Sequence, residues 1–152
     1  TNVYGAHQQL FKIVPRSFIY IKMGRIIQLH GGGESVKSYI HIRDVSRGEL
    51  AAMEQGNPGE MYHLSPERGY SIRELVDSIA EMTGHGLDEV SEGASERLGQ
   101  DAAYVISSEK ARKELNWHPK TPLEDGLTQV RDWVDGNWTK IQLETLEYVH
   151  HR

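Results

Sequence analysis

Apolar residues recur at helical spacing in three stretches of this 152-residue chain. The first stretch predicts a helix over about residues 11–23, with Pro15 in its first turn, where a missing N–H is tolerated, and Gly24 as its end. The other two stretches begin near residues 71 and 121. The inward positions predicted for the three helices are Val14, Phe18, Ile21, Ile72, Leu75, Val76, Ile79, Leu123, Leu127, Val130 and Val134.

Two of these helices carry start signals in the sequence. Ser71 and Glu74 have the spacing of a capping box, in which each side chain accepts a hydrogen bond from the other residue's backbone amide. Thr121, Pro122 and Glu124 stand in the order of an N-cap, a first-turn proline and a glutamate at the third helical position. Both starts are therefore predicted at these residues.

Shorter elements fill the rest of the chain. The glycine run Gly31-Gly32-Gly33 stands between two predicted strands, so a hairpin turn is the better interpretation than a cofactor fingerprint. The helix over 44–54 has Leu50, Ala51 and Met53 as inward candidates. Strands are predicted over 26–30, 36–42, 61–64 and 104–106, with one more strand near 87–90, and further helices over 44–54 and 108–115.

These elements predict a mixed α/β chain. They do not alternate as the strand–helix–strand repeat of a complete doubly wound sheet would. We expect one domain over residues 1–138, followed by a C-terminal tail over 139–152, where the apolar periodicity is weak.

Composition and charge narrow the classes of function. The net charge is −5 with both signs interspersed, which argues against general nucleic-acid binding. No apolar run reaches the roughly 20 residues of a membrane span. The chain has no cysteine and no recognisable signal peptide, and both facts favour a cytoplasmic protein. It also opens without a methionine, as a chain that starts inside a larger protein or one that has been processed would.

Several kinds of catalytic chemistry find no candidate residues. The sequence holds no P-loop and no nucleophile elbow. None of its eight histidines forms a tight pair on one helix face, so we expect no metal site. Asp44, Glu74 and Glu124 are interpreted as helix-start residues, which interact favourably with the helix dipole, and no catalytic residue is assigned.

Cations beside predicted turns suggest an anionic ligand. Lysine and arginine neutralise a diphosphate as a point charge and as a fork, respectively, and the helix that begins near Lys12 would add its N-terminal amides. On residue types alone, a solvated surface is the better explanation of the same cations. The residues concerned are Asn2, Lys12, Arg16, Lys37 and Arg97.

A series of segments, in order, adds a resemblance to a known family. They are N-V-Y-G (2–5), K-I-V-P-R (12–16), L-H-G-G-G (29–33), K-S-Y-I-H-I-R-D-V (37–45), G-E-M-Y-H-L (59–64), R-L-G-Q-D (97–101), E-L-N-W-H-P (114–119) and L-E-D-G-L (123–127). Together they resemble the extended short-chain dehydrogenase/reductase family over about residues 1–135. The resemblance is closest to nucleotide-sugar 4,6-dehydratases of the dTDP-glucose 4,6-dehydratase type, and it is to their C-terminal half only.

The resemblance implies a site for a nucleoside-diphosphate sugar. Asn2 and Lys12 match residues that contact this ligand, and Arg97 matches a loop arginine that closes on the diphosphate. Lys37 stands where the family usually has an arginine, so it keeps the charge but loses the fork. Leu29 and His30 match a strand that packs along the nucleotide base of the ligand. His63 stands where the family usually has an asparagine, and Gln100 stands where a histidine is common.

The resemblance also implies that the parent enzyme uses NAD(P), through motifs that precede Asn2 in the family. No Tyr-x-x-x-Lys pair occurs in this chain. We therefore expect the chain alone to bind no NAD(P) and to pair with a missing N-terminal nucleotide-binding half. Without that half, unpaired strand edges predict self-association into a homo-oligomer or strand exchange. The implied role is substrate binding in a dehydratase of polysaccharide biosynthesis. The alternatives are an epimerase or reductase of the same family, a non-catalytic sugar-nucleotide module, and an unrelated α/β domain.

Overall fold

The computed structural model describes residues 1–96, 99 and 101–147 of the chain. A 3₁₀ turn over Gly31–Gly33 joins the second and third strands. In chain order the strands and helices are β1 (Asn2–Tyr4), α1 (Ile13–Lys22), β2 (Ile27–His30), β3 (Val36–Lys37), β4 (Tyr39–His41), α2 (Ile42–Gln55), β5 (Tyr70–Ser71), α3 (Ile72–Met82), α4 (Leu87–Val90), β6 (Ser91–Ala94), β7 (Ala103–Tyr104), α5 (Glu109–Leu115), α6 (Leu123–Gly136) and α7 (Trp138–Ile141).

Three helices and one strand form the main hydrophobic core. Helix α1 packs against both α3 and α6, and β2 lies beside α1. We call this cluster the helical core. All the predicted inward positions of the three helices are buried in it except Ile72, which is partly buried. Ile141 of α7 is also buried against this core, and the predicted division at residue 138 stays a prediction.

The start of α3 is confirmed as a capping box. The Glu74 amide donates to Ser71 Oγ at 3.0 Å, and the Ser71 amide donates to Glu74 Oε2 at 2.7 Å. The start of α6 differs from the prediction by one residue, because Pro122 and not Thr121 occupies the N-cap position. The Thr121 amide instead donates to the Asp44 carboxylate at 3.0 Å, so a tertiary contact determines its position.

The strands form three small sheets. Strand β1 pairs in parallel with β4, β2 pairs in parallel with β6, and β3 lies between β5 and β7. The hairpin predicted at the glycine run is therefore wrong, because β2 and β3 belong to different sheets. Gly31, Gly32 and Gly33 all have positive φ angles, of 57°, 68° and 77°, and this backbone turns the chain from one sheet to the next.

Other predicted strands also require correction. The single strand predicted over 36–42 is two, since Ser38 separates β3 from β4. Residues 61–64 form no strand, and residues 87–90 are helix α4, with strand β6 directly after it. The start of α4 is held by Glu89, which accepts a hydrogen bond from the Gly86 amide at 2.7 Å. The strand predicted near 104–106 is the two-residue β7, and the helix predicted over 108–115 is confirmed as α5.

A second, smaller cluster lies between α2 and α5. We call it the Trp117 cluster, and its buried members are Ile40, Ala111, Leu115 and Trp117. Asp44 ties it to the start of α6. Its carbonyl accepts from Trp117 Nε1 at 2.9 Å, and its carboxylate accepts from the amides of Lys120 and Thr121, both at 3.0 Å.

The inward positions predicted for α2 are wrong for two of its three residues. Leu50 and Met53, predicted to point inward, are 49% and 78% exposed, whereas Ala51 packs against the Trp117 cluster as predicted. Met61, next in sequence to Tyr62 of this cluster's rim, is 71% exposed. This part of the molecule therefore presents apolar side chains to solvent.

Candidate functional site

A cavity of about 770 Å³ opens where β1, the start of α1, the end of β2 and the β3–β4 segment meet. Its volume lies within the range of about 300–1,000 Å³ that is usual for small-molecule sites. Several separate elements contribute its lining: Asn2 and Tyr4 lie on β1, Lys12 lies at the start of α1, and Tyr39 lies on β4.

The lining of this cavity is positively charged. Lys12, Arg16, Lys37 and His30 line it, and no Asp or Glu does among the described residues. None of the three Lys and Arg side chains forms an ion pair within the described part of the chain. We call it the cationic cavity. In a chain of net charge −5, this local excess favours an anionic ligand.

The amino end of α1 adds to the positive potential. Lys12 occupies the N-cap with an extended backbone and its side chain makes no capping hydrogen bond to a described residue, and the first turn holds no acidic residue. Ile13 and Val14, the first two helical residues, line the cavity. Free amides at a helix start carry partial positive charge, so this end is suited to bind a phosphate or carboxylate group.

Polar side chains provide hydrogen bonds at the same cavity. Asn2 Nδ2 donates to the Ser38 carbonyl at 3.2 Å, and Gln8 Nε2 donates to the Val3 carbonyl at 2.7 Å. Gln8 Oε1 and the Tyr39 hydroxyl are buried without a partner among the described residues. Burial raises the pKa of Tyr39, so its hydroxyl stays protonated.

Two further lining residues, Tyr4 and His30, are held by hydrogen bonds to the backbone. Tyr4 donates its hydroxyl to the Leu123 carbonyl at 3.3 Å, and a Cβ on Gly126 would come within 2.1 Å of that hydroxyl oxygen, so α6 approaches closely only because residue 126 is glycine. His30 Nδ1 lies 2.9 Å from the Ser95 carbonyl, to which it donates, so Nε2 is the ring nitrogen that this bond does not use.

The structure brings four of the predicted site residues together: Asn2, Lys12, His30 and Lys37 line the cationic cavity. Leu29 is 1% exposed and belongs to the helical core, and His63 is exposed and does not line the cavity. Arg97 and Gln100 lie outside the described residues, although Gly99 between them lines the cavity. The ligand contacts assigned to these residues stay predictions.

Arg16 was selected from the sequence as a cation beside a turn but was given no ligand contact by the resemblance, and it lines the cavity. Its guanidinium lies 5.8 Å from the centre of the Tyr20 ring, so a cation–π contact orients it along α1. The signal in the sequence was its spacing of four residues from Lys12, which places both cations on one face of a helix.

A second cavity, of about 750 Å³, lies behind the loop that carries Gln8 and Gln9. It is lined by Phe11 and Trp133, but also by Lys140, Glu144 and Glu147, so its charges are mixed. Elsewhere the described residues contain no group of three or more His, Asp or Glu side chains that could hold a metal ion. No helix among them is long and apolar enough to cross a membrane.

Comparison with known proteins identifies the class to which this fold belongs. The fold matches part of the extended short-chain dehydrogenase/reductases, as predicted. DesIV, a dTDP-glucose 4,6-dehydratase from Streptomyces venezuelae crystallised with NAD and TYD, superposes with a TM-score of 0.85 at 27% identity, over 91% of this chain and 42% of that one. A UDP-glucose 4-epimerase from Thermotoga maritima, crystallised with UDP-glucose, superposes with a TM-score of 0.84 at 28% identity, over 90% and 44%.

The family is also defined by sequence. Residues 1–130 match the family model described as GDP-mannose 4,6 dehydratase, and the chain belongs to this family. A dTDP-glucose 4,6-dehydratase from Streptomyces antibioticus is 31% identical over 137 residues, which cover 90% of this chain and 41% of that protein. The chain thus spans about two fifths of the length of these relatives.

The residues present do not fit the NAD that is named with some of these relatives. A dinucleotide site needs a glycine-rich turn that leads from a strand into a helix, whose amides then meet the pyrophosphate. The turn over Gly31–Gly33 leads into β3 instead. Within the described residues no other strand is joined to its following helix by such a turn, so no chemical step is assigned to NAD here.

Proposed function

We propose that this chain is the substrate-binding portion of an NAD(P)-dependent nucleotide-sugar 4,6-dehydratase, and that the cationic cavity binds the nucleoside-diphosphate sugar. One observation carries the proposal: three cations that form no ion pair within the described residues, together with the start of α1, line a cavity that no described carboxylate lines. A diphosphate is an anion of matching sign and size.

Each group has a part in this binding. Lys12 and the first amides of α1 meet the diphosphate, and Lys37 approaches it from β3. Lysine at position 37 supplies a point charge without a fork, so it contributes charge more than orientation. The Asn2 amide, the Tyr39 hydroxyl and His30 Nε2 are left for the hydroxyl and carbonyl groups of the sugar and base.

The named relatives support a dehydratase. The curated relative from Streptomyces antibioticus and the DesIV structure are both dTDP-glucose 4,6-dehydratases. In this proposal the hydride and proton transfers belong to the rest of the parent enzyme, and this chain contributes binding and orientation. Dehydratase turnover by the purified chain with an NDP-hexose and NAD would contradict this division of roles.

An epimerase is the second candidate, because the UDP-glucose 4-epimerase superposes about as well as the dehydratases do. Both reactions need the same ligand bound, so the cavity alone does not separate them. A binding module without catalysis is separated by the coding sequence upstream of Thr1. An in-frame glycine fingerprint and Tyr-x-x-x-Lys pair would favour the enzyme, and a start codon at this point would favour the module.

Calorimetric titration with UDP, dTDP, GDP and CDP tests the site directly. We expect Lys12→Gln and Arg16→Gln each to weaken binding by about tenfold or more, since each removes a charge-assisted contact to the anion. Lys140→Gln, in the second cavity, is the matched control and should leave the affinity unchanged. Binding that all three variants weaken equally would reflect net charge alone and would contradict the site.

We also propose that the rest of the parent enzyme packs against β1, β4 and the outer face of α2. A parallel pair of strands is usually part of a larger sheet that is covered on both faces, and within the described residues β1 pairs with β4 alone. Leu50 and Met53 lie exposed on α2, the helix that directly follows β4. Without that partner, self-association through this surface is expected.

Cytoplasmic location and polysaccharide biosynthesis stay predictions.

A further inference from the structure

His41 joins two parts of the molecule that face the cationic cavity and the Trp117 cluster. It is the last residue of β4 and the N-cap of α2, and it is 3% exposed. Its ring packs edge-on against Tyr4 of β1, with the ring centres 5.4 Å apart. A titratable ring is thus buried at the point where a cavity wall passes into a helix.

The hydrogen bonds of His41 define which ring nitrogen carries the proton. The backbone amide of Arg43 donates to Nδ1 at 3.3 Å, so Nδ1 is an acceptor and carries no proton. The proton of the neutral ring is therefore on Nε2, which is buried without a partner among the described residues. This tautomer caps α2, because the second helical amide is satisfied by the imidazole.

We propose that His41 is a proton-operated switch: proton uptake at Nδ1 removes the cap of α2 and loosens the β1–β4 wall of the cationic cavity. A protonated Nδ1 points an N–H at the Arg43 N–H, so the capping bond cannot form. It also places a positive charge at the positive end of the α2 dipole.

The charges around the ring agree with this direction. Burial lowers the pKa of His41 most strongly, Asp44 acts to raise it, and Arg43 and Arg47 act to lower it further. The Asp44 carboxylate is already bonded by Arg47 and by the amides of Lys120 and Thr121. Of the other elements packed here, β1 contributes Tyr4, whose ring contacts His41. Helix α6 contributes Glu124 and Asp125, whose negative charges raise the pKa of Tyr4.

The sign of the pH effect follows from the lowered pKa. The unfolded chain binds a proton on this histidine below about pH 6.5, whereas the folded chain resists it to lower pH. Stability is therefore retained above pH 6.5 and is lost as the pH falls toward the folded pKa.

The strand register carries the effect to the cavity. Tyr4 pairs with His41 and Asn2 pairs with Tyr39 across the two strands. Asn2, Tyr4 and Tyr39 all line the cationic cavity. Loosening the start of α2 at His41 therefore shifts three of its lining residues.

The tautomer is tested in the unmodified protein by ¹⁵N NMR of the histidine rings. We expect the His41 ring to be the Nε2–H form at pH 8 and to titrate below the exposed histidines. An Nδ1–H form at pH 8 would overturn the proposal, because Nδ1 could not then cap α2.

Thermal unfolding between pH 8 and pH 5 tests the consequence. His41→Asn is the matched variant, since an asparagine oxygen accepts the same amide and asparagine is a favoured N-cap residue that does not titrate. We expect the loss of Tm on acidification to be at least halved in His41→Asn. Equal losses in the two proteins would overturn the switch.

The link to the cavity is tested with UDP as the probe. UDP affinity of the parent chain should fall from pH 7.5 to pH 5.5 more steeply than that of His41→Asn, and equal slopes would overturn the link. Absence of UDP binding at every pH would count against the proposed function, whereas the NMR and unfolding measurements decide the switch independently.

Discussion

The helical core and the Trp117 cluster are built from similar residues but are completed differently. The helical core encloses its leucines, isoleucines and valines between three helices, and Leu75, Ile79 and Leu127 are 0% exposed. The Trp117 cluster has four buried members, and Leu50, Met53 and Met61, which adjoin in sequence residues packed against it, are 49%, 78% and 71% exposed. The helical core is enclosed on all sides by apolar side chains, whereas the Trp117 cluster depends on the Asp44 anchor and leaves apolar surface uncovered.

The largest test deletes the same side chain from each region. Leu127→Ala should lower the free energy of unfolding by about 4 kcal/mol, because rigid helices surround the cavity it leaves. Leu115→Ala, at a residue 2% exposed, should cost about 2 kcal/mol, because partly exposed neighbours can collapse into the space. Urea unfolding measures both values. Equal losses would show that the two regions are equally enclosed.

The next test removes the anchor. Asp44→Ala should cost about 3 kcal/mol, because it leaves the partly buried amides of Lys120 and Thr121 without an acceptor. Asp44→Asn keeps one oxygen and should cost about half of that. If the two variants unfold at the same urea concentration as the parent chain, hydrophobic contacts alone hold the Trp117 cluster.

A smaller effect is expected at the capping box of α3. Ser71→Ala should cost about 1 kcal/mol, since the Glu74 amide loses its acceptor at the helix start. Ser78→Ala, inside the same helix, is the control and should be neutral or slightly stabilising, because alanine has the higher helix propensity. Thermal unfolding of both variants compares them, and equal losses would contradict a specific role for the cap.

The smallest effect on stability, but a clear one on association, is expected on α2. The double variant Leu50→Gln, Met53→Gln should change the free energy of unfolding by less than about 0.5 kcal/mol, since both side chains are largely exposed. Light scattering should show reduced self-association. Leu143→Gln, at a residue 83% exposed, is the control. If the unsubstituted chain is monomeric and binds little hydrophobic dye, self-association through α2 is contradicted.

The sequence predicted the helices well because their apolar spacing and caps are local. Ser71 and Glu74 form their capping box within four residues, and the stripe from Leu123 to Val134 lies on one face whatever it packs against. Strands were predicted less well because their pairing is not local. Residues 61–64 look like a strand but pair with no strand among the described residues, whereas residues 91–94, with two polar residues and a glycine, form one because β2 lies beside them.

The candidate site shows the same division. Lys12 and Lys37 could be selected from the sequence as cations beside turns, and the resemblance implied a shared ligand, but only the fold places both on one cavity. His63 was selected from the resemblance alone, and it lies elsewhere, exposed.

By itself, the sequence determined the three amphipathic helices, the α/β class and the family resemblance, because these depend on spacing along the chain. The tertiary structure decided what distant residues do together. Asp44, interpreted from the sequence as a helix-start residue, accepts hydrogen bonds from backbone amides 76 and 77 residues away along the chain. His41 carried no signal as a cap, and its role depends on burial against Tyr4 and on a single backbone amide. Burial and hydrogen-bond partners across the fold are properties that no local pattern encodes.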